Sequence, residues 1–137
     1  MPRVYLDSCI VIYLIQGPES LSRAVRGGLV SDEEDPQVLC ISDLTRLECR
    51  VWPVREGDQE LLAQFDGFFA SQDVEWLVIR TDMFDLATEL RARHGTKAPD
   101  AIHLATAILG GCDEFWTNDH RLTAAAAGRI ALKVLSE

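Results

Sequence analysis

Short apolar segments alternate with longer amphipathic segments along the whole chain, and this alternation strongly restricts the fold. Five segments are short and apolar enough to be buried strands: RVYL, QVLCI, VEWLVI, DEFWT and IALKVL. The segments between them carry apolar residues at helical spacing and are bounded by capping residues, glycine or proline. Strands that alternate with helices form a parallel sheet with helices on both faces. The sequence therefore predicts an α/β/α sandwich of three layers around a mainly parallel sheet of four to five strands.

Length and composition fit one folded domain. The 137 residues are 47% hydrophobic and 26% charged, which is ordinary for a folded chain. We find no internal repeat and no linker, so a single domain over residues 1–137 is expected. The acidic segment from Ser31 to Pro36 is expected to be a solvated loop. The predicted helices are Ser8 to Ile15, PESLSRAVRGGLV, SDLTRLECRVWPVR, DQELLAQFDGFFAS, TDMFDLATELRARHG and PDAIHLATAILGG.

Three local signals should set helix ends. The glycine pair at 27–28 is expected to close the second helix. Ser42 is expected to cap the third helix, and Pro53 to kink or end it. Gly95 should terminate the helix that begins near Thr81.

The charge balance restricts the partners. A net charge of −9 and a pI near 4.7 argue against broad electrostatic binding of nucleic acid, which normally leaves a basic surface. Clustered acids that bind cations, or a basic protein partner, fit better. The four cysteines form no CxxC pair, and we find neither a secretory signal nor an apolar run of about 20 residues. A cytoplasmic protein with reduced thiols is therefore expected.

Asp7 interrupts the apolar run VYL…CIVIYLI. A buried carboxylate costs several kcal/mol unless its charge is compensated. Asp7 follows the first predicted strand, and Asp119 follows the fourth. In parallel sheets, ligands bind outside the carboxyl ends of the strands. The two acids are therefore expected at the edge of the sheet where a ligand would bind.

Two further acids lie on predicted helix faces that look apolar. Glu48 falls inside the stripe marked by Leu44, Leu47 and Val51. Asp100 begins a stripe that continues with apolar residues at i+4, i+7 and i+8. Each acid also has an ordinary structural explanation. Asp100 stands in a first turn, where the helix dipole favours it, and Glu48 could close a capping box.

Converging carboxylates repel one another unless a cation lies among them. Magnesium prefers oxygen ligands and keeps several waters, so a few carboxylates suffice to hold it. The sequence thus points to a site for a hard divalent cation such as Mg²⁺, able to bind a phosphodiester and activate water. The expected acids and their supporting polar neighbours are Asp7, Glu48, Asp100 and Asp119, with Ser8, Thr117 and Asn118. His103 lies one turn beyond Asp100 and could flank the pocket, but packing or a surface hydrogen bond is its more typical role. No histidine spacing indicates zinc.

Four stretches together resemble the PIN-domain nucleases, in particular the VapC-type toxin ribonucleases: YLDSCIVIYLI, SDLTRLECRVWPVR, PDAIHLATA and FWTNDHRL. They occur in the family's order, and the resemblance covers Val4 to Leu135. It implies a PIN-like fold and an Mg²⁺- or Mn²⁺-dependent endoribonuclease, usually a homodimer held inactive by a cognate antitoxin. It also implies that Asp7, Glu48 and Asp100 form the metal site, with Asp119 the most variable member, whose role Asn118 could share.

Other functions remain open at this point. A haloacid-dehalogenase-type phosphohydrolase also places an Asp after its first strand, but it needs a second Asp where this chain has Cys9. A PIN-like module that only binds RNA or protein would typically lack one of the acids, and all four are present. DNA cleavage is a further alternative. An acidic pocket would also suit an Arg or Lys side chain of an antitoxin, which would displace the metal or block the substrate.

Overall fold

The structure is a computed structural model that describes residues 1–29 and 36–135. The predicted acidic loop lies outside these residues, except for Pro36. Five strands form one sheet with the order β3-β2-β1-β4-β5, and each neighbouring pair is parallel. The strands are β1 Arg3–Leu6, β2 Val38–Ser42, β3 Val74–Leu77, β4 Glu114–Thr117 and β5 Ala131–Val134.

Helices connect successive strands and cover both faces of the sheet, which confirms the predicted α/β/α sandwich. Among the described residues, no helix is both long and apolar enough to cross a membrane. A 3₁₀ turn at His120–Leu122 precedes the last helix. The helices are α1 Ser8–Ile15, α2 Glu19–Leu29, α3 Asp43–Glu56, α4 Gln59–Phe69, α5 Thr81–His94, α6 Ala98–Leu109 and α7 Thr123–Ala126.

Strand β1 is the centre of the structure, and its alternating side chains divide the core into two parts. Tyr5 lies on one face, and Val4 and Leu6 lie on the other. The Tyr5 side is filled mainly by residues of α5, α6 and β4, and the opposite side by residues of α1, α3 and α4. All three β1 residues are fully buried. The two cores therefore fix the position of the residue that follows β1, which is Asp7.

The expected helix end at the glycine pair is wrong, and Pro53 does not end α3. The helix α2 continues through the glycine pair to Leu29, because both glycines keep helical backbone geometry. The helix α3 contains Pro53 and continues to Glu56, where Gly57 ends it with a φ of 66°. Ser42 does precede α3 as its N-cap, and Gly95 ends α5 with a φ of 67°.

The helix α3 is rotated relative to the apolar stripe that the sequence suggested. Its buried residues are Thr45, Cys49 and Pro53, whereas Leu47 and Val51 are 58% and 44% exposed. The inner face carries small or compact side chains because α3 lies close to α1. The Cys49 sulfur, for example, lies 3.6 Å from the backbone carbonyl of Ser8. Glu48 consequently lies at the margin of the buried face rather than at its centre.

The packing of α2 on β4 provides a test with a matched control. A Cβ atom added at Gly28 would lie 2.6 Å from the ring of buried Trp116 and 2.8 Å from Lys133 Nζ. A Cβ atom added at Gly27 would meet nothing within 4 Å. We expect Gly28→Ala to lower the unfolding free energy by about 1–3 kcal/mol through overpacking. Gly27→Ala should leave it unchanged or raise it by up to about 1 kcal/mol. Urea unfolding measures the unfolding free energy of both variants. Equal stability of the two would contradict close packing of α2 against Trp116 at Gly28.

Candidate active site

Asp7 is a buried carboxylate held by neutral donors at the end of β1. It caps the N-terminus of α1, and its Oδ1 accepts a hydrogen bond of 2.8 Å from the backbone N–H of Ser8. Its Oδ2 accepts one of 2.7 Å from the Thr117 hydroxyl. Only 7% of the residue is exposed. Among the described residues, no arginine or lysine forms an ion pair with Asp7, so hydrogen bonds alone offset its burial.

The predicted supporting residues have separate roles. Ser8 acts through its backbone N–H at the helix N-terminus. The Thr117 hydroxyl links two acids, since it donates to Asp7 and accepts from the backbone N–H of Asp119 at 3.2 Å. The Asn118 amide donates to the Tyr13 hydroxyl at 2.8 Å.

Glu48 and His103 complete a compact cluster with Asp7. The His103 Nε2 is hydrogen-bonded to Glu48 Oε1 and lies 3.7 Å from Asp7 Oδ1. One ligand atom from each of the three residues lies within 4.8 Å of the others. The His103 side chain is fully buried, whereas the Glu48 side chain is 30% exposed. The cluster therefore opens to solvent on the Glu48 side.

A chain of buried hydroxyl groups lies behind His103. The Tyr5 hydroxyl is 2.7 Å from His103 Nδ1, 2.8 Å from Ser42 Oγ and 3.4 Å from Thr45 Oγ1. The backbone N–H of Ser42 donates to Thr45 Oγ1 at 3.3 Å. Burial raises the pKa of Tyr5 far above its usual value, so the phenol keeps its proton.

Asp100 lies in the first turn of α6 and is half-buried. Burial raises the pKa of its carboxyl group, and the negative charges of Asp7, Asp119 and Glu48 raise it further, while His103 opposes them. Among the described residues, however, the group whose ligand atoms lie within 4.8 Å of one another consists of Asp7, Glu48 and His103. The structure thus brings Asp7 and Glu48 together, and neither Asp100 nor Asp119 belongs to this compact group.

Asp119 differs from the other three acids because it already has a cationic partner. Its carboxylate oxygens accept two hydrogen bonds of 2.9 Å from the Arg121 guanidinium. These bonds are the main reason that the pKa of Asp119 is lowered. Asp119 also caps the 3₁₀ turn by accepting from the backbone N–H of Arg121. Its geometry therefore supports a structural role beside the cluster.

Asp100 and Asp119 line a pocket of about 220 Å³ that also presents cationic side chains. Lys97 and Arg121 belong to its wall. Positive groups therefore lie next to Asp100 and Asp119, although the chain as a whole has a net charge of −9. Asp7, Glu48 and His103 are not among the residues that line this pocket.

His103 has a larger part in the site than the sequence predicts. Packing or a surface hydrogen bond is the expected role, whereas His103 is hydrogen-bonded to Glu48 and faces Asp7. The available signal was its spacing, because residues i and i+3 lie on the same side of a helix and Asp100 is at position i.

The comparisons with known proteins identify the family. A family model described as the PIN domain matches residues 4–128. The chain belongs to the PIN-domain family. No curated protein matches it.

Several solved structures share the fold of this PIN domain. VapBC2 from Rickettsia felis, bound to a DNA fragment of its promoter, is 15% identical with a TM-score of 0.74, over 98% of this chain and 99% of that chain. A toxin–antitoxin complex from Klebsiella pneumoniae is 25% identical with a TM-score of 0.70, over 98% of both chains. VapC20 from Mycobacterium tuberculosis, a sarcin–ricin loop cleaving toxin, is 17% identical with a TM-score of 0.74, over 93% of this chain and 98% of that chain. These similarities confirm the PIN-like fold.

The raised pKa of Asp100 predicts how the charge of this carboxyl group affects the stability of the metal-free fold. Because folding raises this pKa above the ordinary value of 3.8, the folded chain binds more protons between the two values. Stability therefore falls as the pH rises through that window, and ionised Asp100 destabilises the fold above it. We expect Asp100→Asn, in chelator, to have a higher melting temperature than the wild type at neutral pH and a similar one below pH 3.8.

The control for this experiment is Asp82→Asn on α5. The Arg80 guanidinium holds the pKa of the exposed Asp82 below its usual value. Replacing this carboxylate by an amide should therefore leave the melting temperature unchanged or slightly lower. A lower melting temperature for Asp100→Asn at neutral pH would show that the ionised carboxylate stabilises the metal-free fold.

Proposed function

We propose that this PIN domain is a metal-dependent endoribonuclease and the toxin of a toxin–antitoxin pair. The observation that carries the proposal is the compact cluster of Asp7, Glu48 and His103. The proposal is also supported by membership of the PIN family and by the fold shared with VapC20, a sarcin–ricin loop cleaving toxin.

The donor set fits a hard divalent cation. Asp7, Glu48 and Asp100 supply carboxylate oxygens, the ligands that Mg²⁺ and Mn²⁺ prefer. The raised pKa of Asp100 reflects in part the repulsion among these carboxylates, which a cation would relieve. When bound, such an ion supplies Lewis acidity and lowers the pKa of a bound water.

The protein's own groups would position the reaction. The Ser8 N–H and the Thr117 hydroxyl fix both oxygens of Asp7, so that this carboxylate does not rotate. Lys97 lines the pocket of Asp100 and Asp119, where its ammonium group can bind a phosphate of an RNA strand, whereas the Arg121 guanidinium there is paired with Asp119. A local basic wall beside an acidic cluster reconciles an acidic chain with a polyanionic substrate.

Binding of an antitoxin is supported by two observations. The structural neighbours from Rickettsia felis and Klebsiella pneumoniae were solved with their antitoxins or as toxin–antitoxin complexes. In addition, Leu47, Val51 and Val54 are exposed on α3 and line a groove of about 580 Å³. Exposed apolar side chains that lie together are typical of protein interaction sites.

A homodimer and a cytoplasmic location stay predictions from the sequence. Sedimentation equilibrium tests the homodimer, because it measures a mass that can be compared with the 15.3 kDa of one chain.

Cleavage by the purified chain tests the proposed activity. We expect RNA to be cleaved in Mg²⁺ or Mn²⁺ and not in chelator, and Asp7→Asn to lower the rate by a factor of about a thousand or more. The reason is that the substitution removes a central carboxylate while it preserves the size of the side chain. RNA fragments are separated on denaturing gels, with a DNA strand of the same sequence as a second substrate.

The matched control is Asp82→Asn, which removes an exposed aspartate outside the cluster and should cleave at the wild-type rate. Circular dichroism should show that both variants are folded. Wild-type cleavage by Asp7→Asn would contradict the catalytic assignment. Binding of RNA without any cleavage by the wild type would support a binding module instead, and preferential cleavage of the DNA strand would support a DNA nuclease.

The acidic pocket should be masked by the antitoxin. We expect a cognate antitoxin to be encoded by a short neighbouring open reading frame and to co-purify with this chain when the two are coexpressed. We also expect it to weaken Mn²⁺ binding at least tenfold, because a basic side chain in the pocket competes with the cation. Isothermal titration of Mn²⁺ into the complex and into the isolated chain measures the difference. Equal affinities would show that the antitoxin does not occupy the pocket.

A further inference from the structure

One hydrogen-bonded chain links three elements behind the candidate active site. It runs from Tyr5 on β1 through His103 on α6 to Glu48 on α3. Tyr5 and His103 are buried, at 0% and 1% exposure, so water does not compete for these bonds. A buried polar side chain is retained when its hydrogen bonds are satisfied, and both ring nitrogens of His103 have partners.

The protons in this chain can be assigned from its donors and acceptors. A carboxylate only accepts, so the hydrogen bond to Glu48 requires a proton on His103 Nε2. The Tyr5 hydroxyl binds the other nitrogen, Nδ1: it donates to a neutral imidazole and accepts from a protonated one. The Ser42 hydroxyl, 2.8 Å away, is a further partner of the Tyr5 hydroxyl in both cases. Every group in the chain is therefore satisfied, and Nε2 carries a proton in either case.

We propose that His103 is a positioning residue, which holds the Glu48 carboxylate beside Asp7 through its Nε2–H, while Tyr5 fixes the orientation of the imidazole. This inference rests on the proposed function. The long side chain of Glu48 is 30% exposed and approaches from the margin of α3, so it needs an external partner to stay near a second negative charge. The Nε2–H group of His103 provides that partner.

The hydrogen-bonding role can be separated from direct coordination by two similar amides. The side-chain nitrogen of glutamine reaches about as far as His Nε2, whereas that of asparagine reaches only as far as Nδ1. His103→Gln therefore retains a donor to Glu48, and His103→Asn loses it. Tyr5→Phe removes the hydroxyl that orients the ring. Thr106→Val is the control, because the buried Thr106 hydroxyl donates only to Ile102 of the same helix, at 2.7 Å.

The main measurement is the affinity of the RNA-free protein for Mn²⁺ alone, from electron paramagnetic resonance titration. Removal of a residue that orients a metal ligand typically costs about 10–100-fold in affinity. We expect a loss of about tenfold or more for His103→Asn, a smaller loss for Tyr5→Phe, and affinity close to wild type for His103→Gln and Thr106→Val. In RNA cleavage, His103→Asn should lower kcat and leave the KM for RNA unchanged.

Three results would overturn the inference. An equal loss of affinity in the glutamine and asparagine variants would make His103 a metal ligand. Wild-type Mn²⁺ affinity in both, with melting temperatures lowered as in Thr106→Val, would make it a packing residue. Wild-type Mn²⁺ affinity in Tyr5→Phe would show that Tyr5 does not help to position the imidazole. If His103→Asn does not fold, the Mn²⁺ affinity of Tyr5→Phe is the deciding measurement. In each case wild-type cleavage in Mn²⁺ would leave the proposed function standing, whereas a wild type that neither binds Mn²⁺ nor cleaves RNA would refute that function itself.

Discussion

Parallel pairing of β1 between β2 and β4 is the constraint on which the rest of the structure depends. Parallel strands have their carboxyl ends at the same edge, so the residues that follow them meet there although they are distant in sequence. Asp7 follows β1, α3 with Glu48 follows β2, and Thr117 ends β4. The register aligns Tyr5 with Cys40 and with Phe115 on its two sides. The site is thus a consequence of the topology.

The same edge carries an electrostatic cost that the surrounding structure only partly offsets. Asp7 is held by a backbone N–H and a hydroxyl, Glu48 by an imidazole, and Asp119 by a guanidinium. Asp100 has the least compensation, and the pKa of its carboxyl group is raised accordingly. The metal-free fold is therefore less stable because of Asp100, and a bound cation would restore this stability. Such a loss of stability is common at functional sites.

The sequence was sufficient for the features that depend on local signals. The bounds of β1 and α1 agree with the prediction, because an apolar run that stops at an acidic N-cap determines both. The face of α3 was wrong, since spacing alone cannot tell an apolar stripe that packs inward from one that stays exposed, such as Leu47 and Val51. The link between His103 and Glu48 joins residues 55 positions apart, and no local pattern encodes such a contact.

The distribution of partners among the acids assigns them different roles. The two oxygens of Asp119 are engaged by Arg121, so this acid can neutralise a cationic side chain at the rim without a metal. Glu48 and Asp7 have no guanidinium or ammonium partner among the described residues and face the buried imidazole of His103. Because a guanidinium already satisfies Asp119, cation affinity should be concentrated on Asp7, Glu48 and Asp100. Arg121 stands at the pocket wall as part of this ion pair, with its side chain 70% exposed against 18% for Asp119.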